Sequence, residues 1–176
     1  LQYQNNTSDT DVYNVAVGYN AANLMTTGIR NVIMGGFAGD SLTTGSYNVA
    51  IGYGALQTED AHGTNTAVGM QALNALNAGA NGNNIGIGYQ AGLSMSTGQR
   101  NTIMGSFAGD ALTTGSDNTA IGYGALSAED TGGKNVAVGR GALGALDAGG
   151  DGYNVALGYF SGLAMTTGNS NITMGY

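Results

Sequence analysis

The sequence predicts an all-β fold, a parallel β-solenoid of ten coils. A pentad of the form Asn-x-x-apolar-Gly recurs ten times along the chain, with successive copies 17 or 19 positions apart. The composition also points to a turn-rich repeat, because it holds 33 glycines and no proline, cysteine or tryptophan. Repeats this short bury their apolar side chains by stacking on neighbouring copies. A helical repeat is excluded because each interior glycine costs a helix about 1 kcal/mol relative to alanine.

The pentads follow a longer period as well. Their spacings run 17, 17, 17 and 19, which defines a super-repeat of four coils, and residues 14–83 are identical to residues 84–153 at 43 of 70 positions. We therefore divide the chain into an N-terminal lead-in, 1–13, and a ten-coil domain, 14–176. The insertions of the longer coils, at 80–83 and 150–153, are expected to be surface loops. The pentads begin at Asn14, Asn31, Asn48, Asn65, Asn84, Asn101, Asn118, Asn135, Asn154 and Asn171.

Each pentad predicts a short strand. Its second residue is β-branched, its third is mostly alanine and its fourth is always apolar. This large–small–large alternation places the large side chains on one face and the small ones on the other. We expect the large side chains to fill the interior. Because a coil holds only three or four of them, a single chain is expected to be marginally stable, and packing of several chains would bury the small-residue face.

The asparagine and glycine columns predict corners between the strands. Equivalent residues of stacked coils lie about 4.8 Å apart, so the asparagine amides are expected to hydrogen-bond up the stack. Asparagine also tolerates the left-handed backbone region that a corner needs. The glycines predict either a positive φ or a backbone approach too close for a Cβ. They are Gly18, Gly35, Gly52, Gly69, Gly88, Gly105, Gly122, Gly139, Gly158 and Gly175.

The charge and hydropathy of the chain exclude two classes of partner. The formal net charge is −7 and only four residues are basic, so the surface cannot neutralise a run of nucleic-acid phosphates. No apolar run approaches the roughly 20 residues that cross a bilayer. The sequence therefore predicts neither nucleic-acid binding nor membrane insertion.

The residues that usually carry chemistry are almost absent. We predict no catalytic, cofactor-binding or metal-binding residue and hence no enzyme, since the chain has no cysteine and a single histidine, His62. His62 replaces a corner glycine and is interpreted as a solvated side chain. The acidic pairs Glu59–Asp60 and Glu129–Asp130 are interpreted as solvated turn charges, with weak cation binding as the alternative.

A tyrosine directly follows the pentad glycine, mostly in alternate coils, and a phenylalanine lies one residue further on in three coils. Tyrosine combines an apolar ring face with a polar tip. Such a column can bind sugars or a partner at the surface, and packing at the corner or between chains is the alternative interpretation. The candidate surface-binding aromatics are Tyr19, Tyr53, Tyr89, Tyr123 and Tyr159.

Two segments, Asn48-Val-Ala-Ile-Gly-Tyr-Gly-Ala-Leu56 and Asn118-Thr-Ala-Ile-Gly-Tyr-Gly-Ala-Leu126, resemble the head repeats of YadA-like trimeric adhesins and of phage tail-fibre proteins. The resemblance covers residues 11–176. It implies a left-handed parallel β-roll in which three identical chains stand side by side. It further implies an extracellular structural or adhesive rod, in a virion tail fibre or on a bacterial surface, that binds a cell-surface glycan weakly. The heads of the adhesins have shorter coils, so the spacing here is closer to the fibre-type repeats.

A different class of function is a monomeric solenoid that binds ice or another ordered surface. Adjacent threonines recur at one site of the coil, as in Thr26–Thr27 and Thr43–Thr44, but other coils carry Asp60–Ala61 or Asn77–Ala78 there. Ice-binding faces need regularly spaced outward threonines in every coil, so this reading is the alternative to the fibre module.

Overall fold

The computed structural model describes residues 12–176, and the predicted parallel β-solenoid is confirmed there. Ten three-residue strands form one parallel sheet in which each strand pairs with the next along the chain. Within this range no helix is present that could cross a membrane. Ten strands define about nine turns, and the tenth coil is represented by its strand. The strands are β1 Val15–Val17, β2 Val32–Met34, β3 Val49–Ile51, β4 Thr66–Val68, β5 Ile85–Ile87, β6 Thr102–Met104, β7 Thr119–Ile121, β8 Val136–Val138, β9 Val155–Leu157 and β10 Ile172–Met174.

Every strand pairs in register with its neighbour, so that equivalent pentad positions face each other. Val32 of β2 pairs with Val49 of β3, and Ile51 of β3 pairs with Val68 of β4. The register is kept across both longer coils, because Thr66 pairs with Ile85 and Val136 with Val155. Both insertions are therefore accommodated outside the sheet, where residues 79–81 and 149–151 are exposed.

The interior of the solenoid holds the small face of the strands, and the expectation that the large side chains point inward is wrong. The middle residue of the strand is fully buried in coils two to nine, as at Ala50 and Ile103, whereas its two neighbours are half-buried or exposed. The coil is too narrow to hold two large side chains per strand, because its opposite wall already contributes a leucine or methionine. Met25, Leu42 and Leu112 supply that wall.

Side-chain volume is balanced within coils two to four and six to eight. Where the middle strand residue is Ile33, the residue six positions later is Gly39, and a Cβ there would lie 3.3 Å from the Ile33 Cδ1 atom. Where the middle residue is Ala50, the equivalent position holds the buried Leu56. Protein interiors are close-packed, so one large and one small residue share the same space in either order.

The corner backbone differs from expectation at the pentad asparagines. In every described coil the left-handed conformation belongs to the residue before the asparagine, with φ of 58° at Arg30 and 62° at Asp117, and not to the asparagine itself. The pentad glycine has a positive φ, 133° at Gly88, and a Cβ added to it would lie 2.6 Å from the carbonyl carbon of Gly105 in the next coil. Positive φ and close backbone approach therefore act together.

Candidate functional site

One face of the sheet is uncovered along its whole length. It is formed by the first and third residues of each strand, which we call the sheet face. None of these twenty positions carries a charge, and all are apolar apart from three threonines. Met34 and Met104 are about two-fifths exposed. At about 4.8 Å per strand the sheet face is about 43 Å long. Continuous exposed apolar surface of this kind is typical of interaction sites.

The pentad asparagines form a continuous chain of hydrogen bonds, which we call the asparagine ladder. The Oδ1 atom of each one accepts from the backbone N–H of the next, as from Asn101 N to Asn84 Oδ1 at 2.9 Å and from Asn118 N to Asn101 Oδ1 at 2.9 Å. The Nδ2 atom donates to the carbonyl of the second corner of its own coil, as from Asn101 to Gly115 at 2.9 Å. The buried amides thus satisfy backbone groups at both corners of the coil.

The asparagine ladder changes in the two longer coils. There the insertion moves the second corner away, so Asn65 Nδ2 donates to Gly63 O instead, at 3.2 Å, and the buried Asn135 Nδ2 has no hydrogen-bond partner among the described residues. The Oδ1 atoms still accept from the next coil, at 3.1 Å from Asn84 N and 3.2 Å from Asn154 N. The longer coils therefore keep the stack and lose only the cross-coil bond.

The two glutamates of the acidic pairs are buried, and their interpretation as solvated turn charges is wrong. Glu59 and Glu129 are inaccessible to solvent and lie inside the coil, at the position that leucine or methionine occupies in the other buried coils. Both carboxylate oxygens of Glu129 accept backbone hydrogen bonds, from Gly132 N at 2.7 Å and Ala148 N at 3.1 Å. The alignment with Met25 and Leu42 is the sequence signal that indicates an interior position.

The buried glutamates stand where the backbone ladder is interrupted. In most coils the residue after this interior position donates to the next coil, as from Thr43 N to Asp60 O and from Asp147 N to Thr166 O. No such bond starts from Asp60 or Asp130 in the described chain, because the following coil diverges toward its insertion. The glutamate carboxylate spans this gap. One of its oxygens accepts a backbone N–H of its own corner, and the other accepts one of the next coil.

Neither acidic cluster has a free set of metal ligands. Ligand atoms of Glu59, Asp60 and His62 lie within 4.8 Å of one another, and so do those of Glu129, Asp130 and Asp147. However, the oxygens of both glutamates already accept backbone N–H groups. The His62 Nδ1 atom lies 3.3 Å from Glu59 Oε1, and the side chain is only 28% exposed, so His62 is paired and not freely solvated.

Burial raises the pKa of Glu129 above its ordinary value, although the two backbone hydrogen bonds lower it. The folded state then holds this proton more tightly than the unfolded chain does. The stability that follows is present below the unfolded pKa of about 4.3 and is lost as the pH rises through the folded pKa. We compare the melting temperatures of the wild type and Glu129→Gln. The difference, wild type minus variant, should fall steadily as the pH rises from 4.5 to 7.

Circular dichroism melts at four pH values across this range measure that difference. Thr131→Asn is the control, since residue 131 is exposed and neither side chain titrates, and its difference from wild type should stay flat over the same range. A Glu129→Gln difference that grows with pH would contradict the assignment of a raised pKa to this carboxyl group.

The candidate aromatics line one corner of the coil and pack on each other edge to face. The Tyr19 ring lies 5.3 Å from that of Phe37, and Phe37 lies 5.7 Å from Tyr53, with interplanar angles of 79° and 76°. The second super-repeat forms the same triad from Tyr89, Phe107 and Tyr123. The five candidate tyrosines remain 40–72% exposed. Corner packing and surface exposure therefore occur together.

The fourth coil of each super-repeat interrupts this aromatic corner in a different way. The first has Met70 and Gln71 after the pentad glycine, and the second has Arg140 and Gly141. The Arg140 guanidinium carbon lies 5.6 Å from the centre of the Tyr123 ring and 5.7 Å from that of Tyr159. No carboxylate pairs with Arg140 in the described chain, whereas Arg100 pairs with Asp117.

In the threonine pairs of coils one, two and six, at most one hydroxyl per coil is free. The first threonine of a pair donates to the next coil, as from Thr26 to the Thr43 carbonyl at 3.1 Å and from Thr43 to the Asp60 carbonyl at 3.0 Å. Only the second one, such as Thr114, is exposed. This arrangement does not favour the ice-binding alternative.

No protein-family model matches the chain, and neither curated proteins nor solved structures give a significant match. The likeness to YadA-like heads therefore depends on the repeat motif alone.

Proposed function

We propose that the chain is a segment of an extracellular structural or adhesive fibre, in which three copies pack side by side through their sheet faces. The observation that carries the proposal is the uncovered sheet face, a charge-free apolar surface about 43 Å long on a chain whose net charge is −7. A phage tail fibre and a bacterial surface adhesin are the two settings that the resemblance to YadA-like heads suggests.

A second copy of the chain fits the sheet face better than an unrelated partner does. Its apolar side chains repeat at the strand spacing of about 4.8 Å, and a surface with the same period matches this spacing along its whole length. Closed symmetric assemblies of identical chains are the usual outcome of such self-complementary surfaces. The number three comes from the resemblance. Each large side chain that the narrow interior excludes would then be buried between chains.

Such an assembly suits a mechanical role. The chain has a rigid stack of paired strands, and the solvent side carries few charges and no free ligand set in its acidic clusters. Aromatic side chains at one corner stay exposed and offer contacts to a host surface. In this proposal the stacked coils give the fibre length and stiffness, and the exposed aromatic corner binds the host surface.

Light scattering of the purified chain at micromolar concentration tests the assembly. We expect a mass of about 52 kDa, three times the 17.5 kDa of one chain. Replacing Ile51 and Ile121, equivalent residues of the two super-repeats on the sheet face, by lysine should lower the mass to that of a monomer or unfold the chain, because it buries two charges per protomer between chains.

The matched control is the pair Thr44→Lys and Thr114→Lys, which occupies equivalent exposed positions away from the sheet face. This double variant adds the same charge and should keep the trimer mass and the wild-type melting temperature. A wild-type chain that is folded and monomeric at micromolar concentration would overturn the proposed assembly.

A further inference from the structure

A groove opens at the aromatic corner in the second super-repeat. It has a volume of about 200 Å³ and is lined by the Tyr123 and Phe160 rings and by Arg140, Ser127 and Leu163. Its floor is made of Gly124, Gly141 and Gly144. Drug-sized pockets measure about 300–1,000 Å³, so this groove has room for a single small ring.

The equivalent place in the first super-repeat is filled by side chains. Gly144 corresponds to Asn74, which donates to Gly54 O at 2.8 Å and to Gln57 Oε1 at 3.1 Å. Gly141 corresponds to Gln71, whose Oε1 accepts from Gln90 Nε2 at 2.9 Å. The chain thus contains an open and a closed version of one corner.

Opening the groove leaves polar groups available. The carbonyl oxygen of Gly124 corresponds to that of Gly54, but no donor of the described chain reaches it because residue 144 has no side chain. Arg140 makes a single long hydrogen bond, to Tyr159 Oη at 3.4 Å. A guanidinium has five N–H donors, so most of them are free to bind an anion.

The groove also requires its glycine at residue 141. A Cβ on Gly141 would overlap the Phe160 ring, so the phenylalanine lies in space that only glycine leaves open. Tyr123 also lines the groove, and the Arg140 guanidinium carbon lies 5.6 Å from the centres of both rings, so the two aromatic rings and the cation meet at one groove. Aromatic walls bind the apolar C–H face of a flat ring, and the free carbonyl accepts a hydroxyl group.

From this geometry we infer that the groove binds one pyranose ring that carries a carboxylate, a uronic-acid type of sugar. The sugar ring packs against the aromatic lining of the groove, a sugar hydroxyl donates to Gly124 O, and Arg140 binds the carboxylate. Arginine and carboxylate match in a two-bond geometry. The inference deepens the recognition part of the proposed function, and rests on this corner staying accessible in the assembled fibre.

Titration of the ¹⁵N-labelled full chain with the sodium salt of methyl β-D-glucuronoside tests the inference. The chain has three arginines, so the Nε–H signal of Arg140 is identified by its loss in Arg140→Met. We expect saturable shifts of this signal with a Kd of about 1 mM, which is typical of a ligand this small. Methyl β-D-glucoside and sodium acetate should each bind at least about tenfold more weakly, because each lacks one part of the recognised group.

Three substitutions taken from the chain itself separate the contributions. Arg140→Met, the residue at Met70, should weaken glucuronoside binding about tenfold and leave glucoside binding unchanged. Because this variant has no Arg140 signal, its binding is followed by the backbone N–H signals of Gly141 and Gly144. Gly144→Asn, the residue at Asn74, should abolish binding of both sugars. Met70→Arg should create no second site, because Gln71 and Asn74 still fill that corner. Circular dichroism confirms that each variant remains folded.

Acetate that binds as tightly as the glucuronoside would reduce the groove to an anion site and overturn the inference. Equal binding of the glucoside would show that Arg140 does not recognise the carboxylate, and would overturn it as well. An absence of shifts at 50 times the expected Kd would do the same. Light scattering on the same samples keeps the two proposals apart, since a monomer that binds the glucuronoside defeats only the trimer.

Discussion

Gly88→Ala is expected to destabilise the protein by about 3–5 kcal/mol. The φ of 133° lies outside the regions open to residues with a Cβ and costs about 1–3 kcal/mol. The Cβ would also lie 2.6 Å from the Gly105 carbonyl carbon, which forces the coils apart at a cost of similar size. Urea denaturation at a fixed chain concentration measures the loss. Gly88→Asn should be at least as damaging, because asparagine tolerates the left-handed helical region and not the far larger φ of this corner.

Two other glycines separate the causes of this loss. Gly79 has a φ of 68° and nothing within 4 Å of an added Cβ, so Gly79→Ala should cost only about 1–2 kcal/mol, and Gly79→Asn less. Gly175 belongs to the pentad column but has no described coil after it and no atom near an added Cβ. Because its φ of 108° is also positive, Gly175→Ala should cost about 1–3 kcal/mol, the backbone part of the Gly88 loss without the steric part. Wild-type stability in Gly88→Ala would refute the corner geometry.

Asn101→Ala is expected to cost about 2–4 kcal/mol. Asn101 is fully buried, and its amide serves the backbone N–H of Asn118 and the carbonyl of Gly115. Alanine leaves both groups buried without a partner, and each such group costs about 1–3 kcal/mol. Urea denaturation at a fixed chain concentration again reports the difference.

Two other asparagines of the chain serve as comparisons for Asn101→Ala. Asn171, the last member of the asparagine ladder, is half-buried and has no described coil above it, so Asn171→Ala should cost clearly less than Asn101→Ala. Asn23, which is half-buried outside the ladder, should tolerate alanine within about 0.5 kcal/mol. Equal losses for Asn101 and Asn23 would show that the ladder adds nothing to stability.

The strands and their stacking follow from the sequence because the repeat specifies them many times over. Each pentad gives the same three-residue strand, and a pairing error of one residue would misplace every asparagine and glycine at once. Thr66 and Ile85 stay paired although two extra residues precede the second strand, since the insertion forms an exposed loop. A repeat that is internally consistent leaves little freedom in the register.

The inward face of the strand could not be read from the alternation itself. A large–small–large pattern fits a strand facing either way, and the decision depends on the width of the coil, which is set by residues such as Leu42 on the opposite wall. The left-handed residue before each asparagine was missed for a related reason. Arg30, Tyr47 and Asp117 share no side-chain type, so the conformation is imposed by the stacked backbone and not by local preference.

The buried glutamates and the groove beside Arg140 show what comparison within the chain adds. Glu129 looks like a turn charge beside Asp130, but its place in the leucine column indicates burial. The groove is visible only where the two super-repeats differ, with Asn74 in one and Gly144 in the other. Positions that are alike in the two super-repeats indicate the fold, and positions that differ indicate the candidate site.

The super-repeat also bears on how such a protein changes length over generations. Residues 14–83 and 84–153 carry the same columns in the same order, so an in-frame gain or loss of one super-repeat joins equivalent positions and leaves every neighbour matched. Each event would alter the rod by four strands, about 19 Å. Unequal recombination between similar coding segments can therefore change the length of the solenoid in fixed steps, with no redesign of its surfaces.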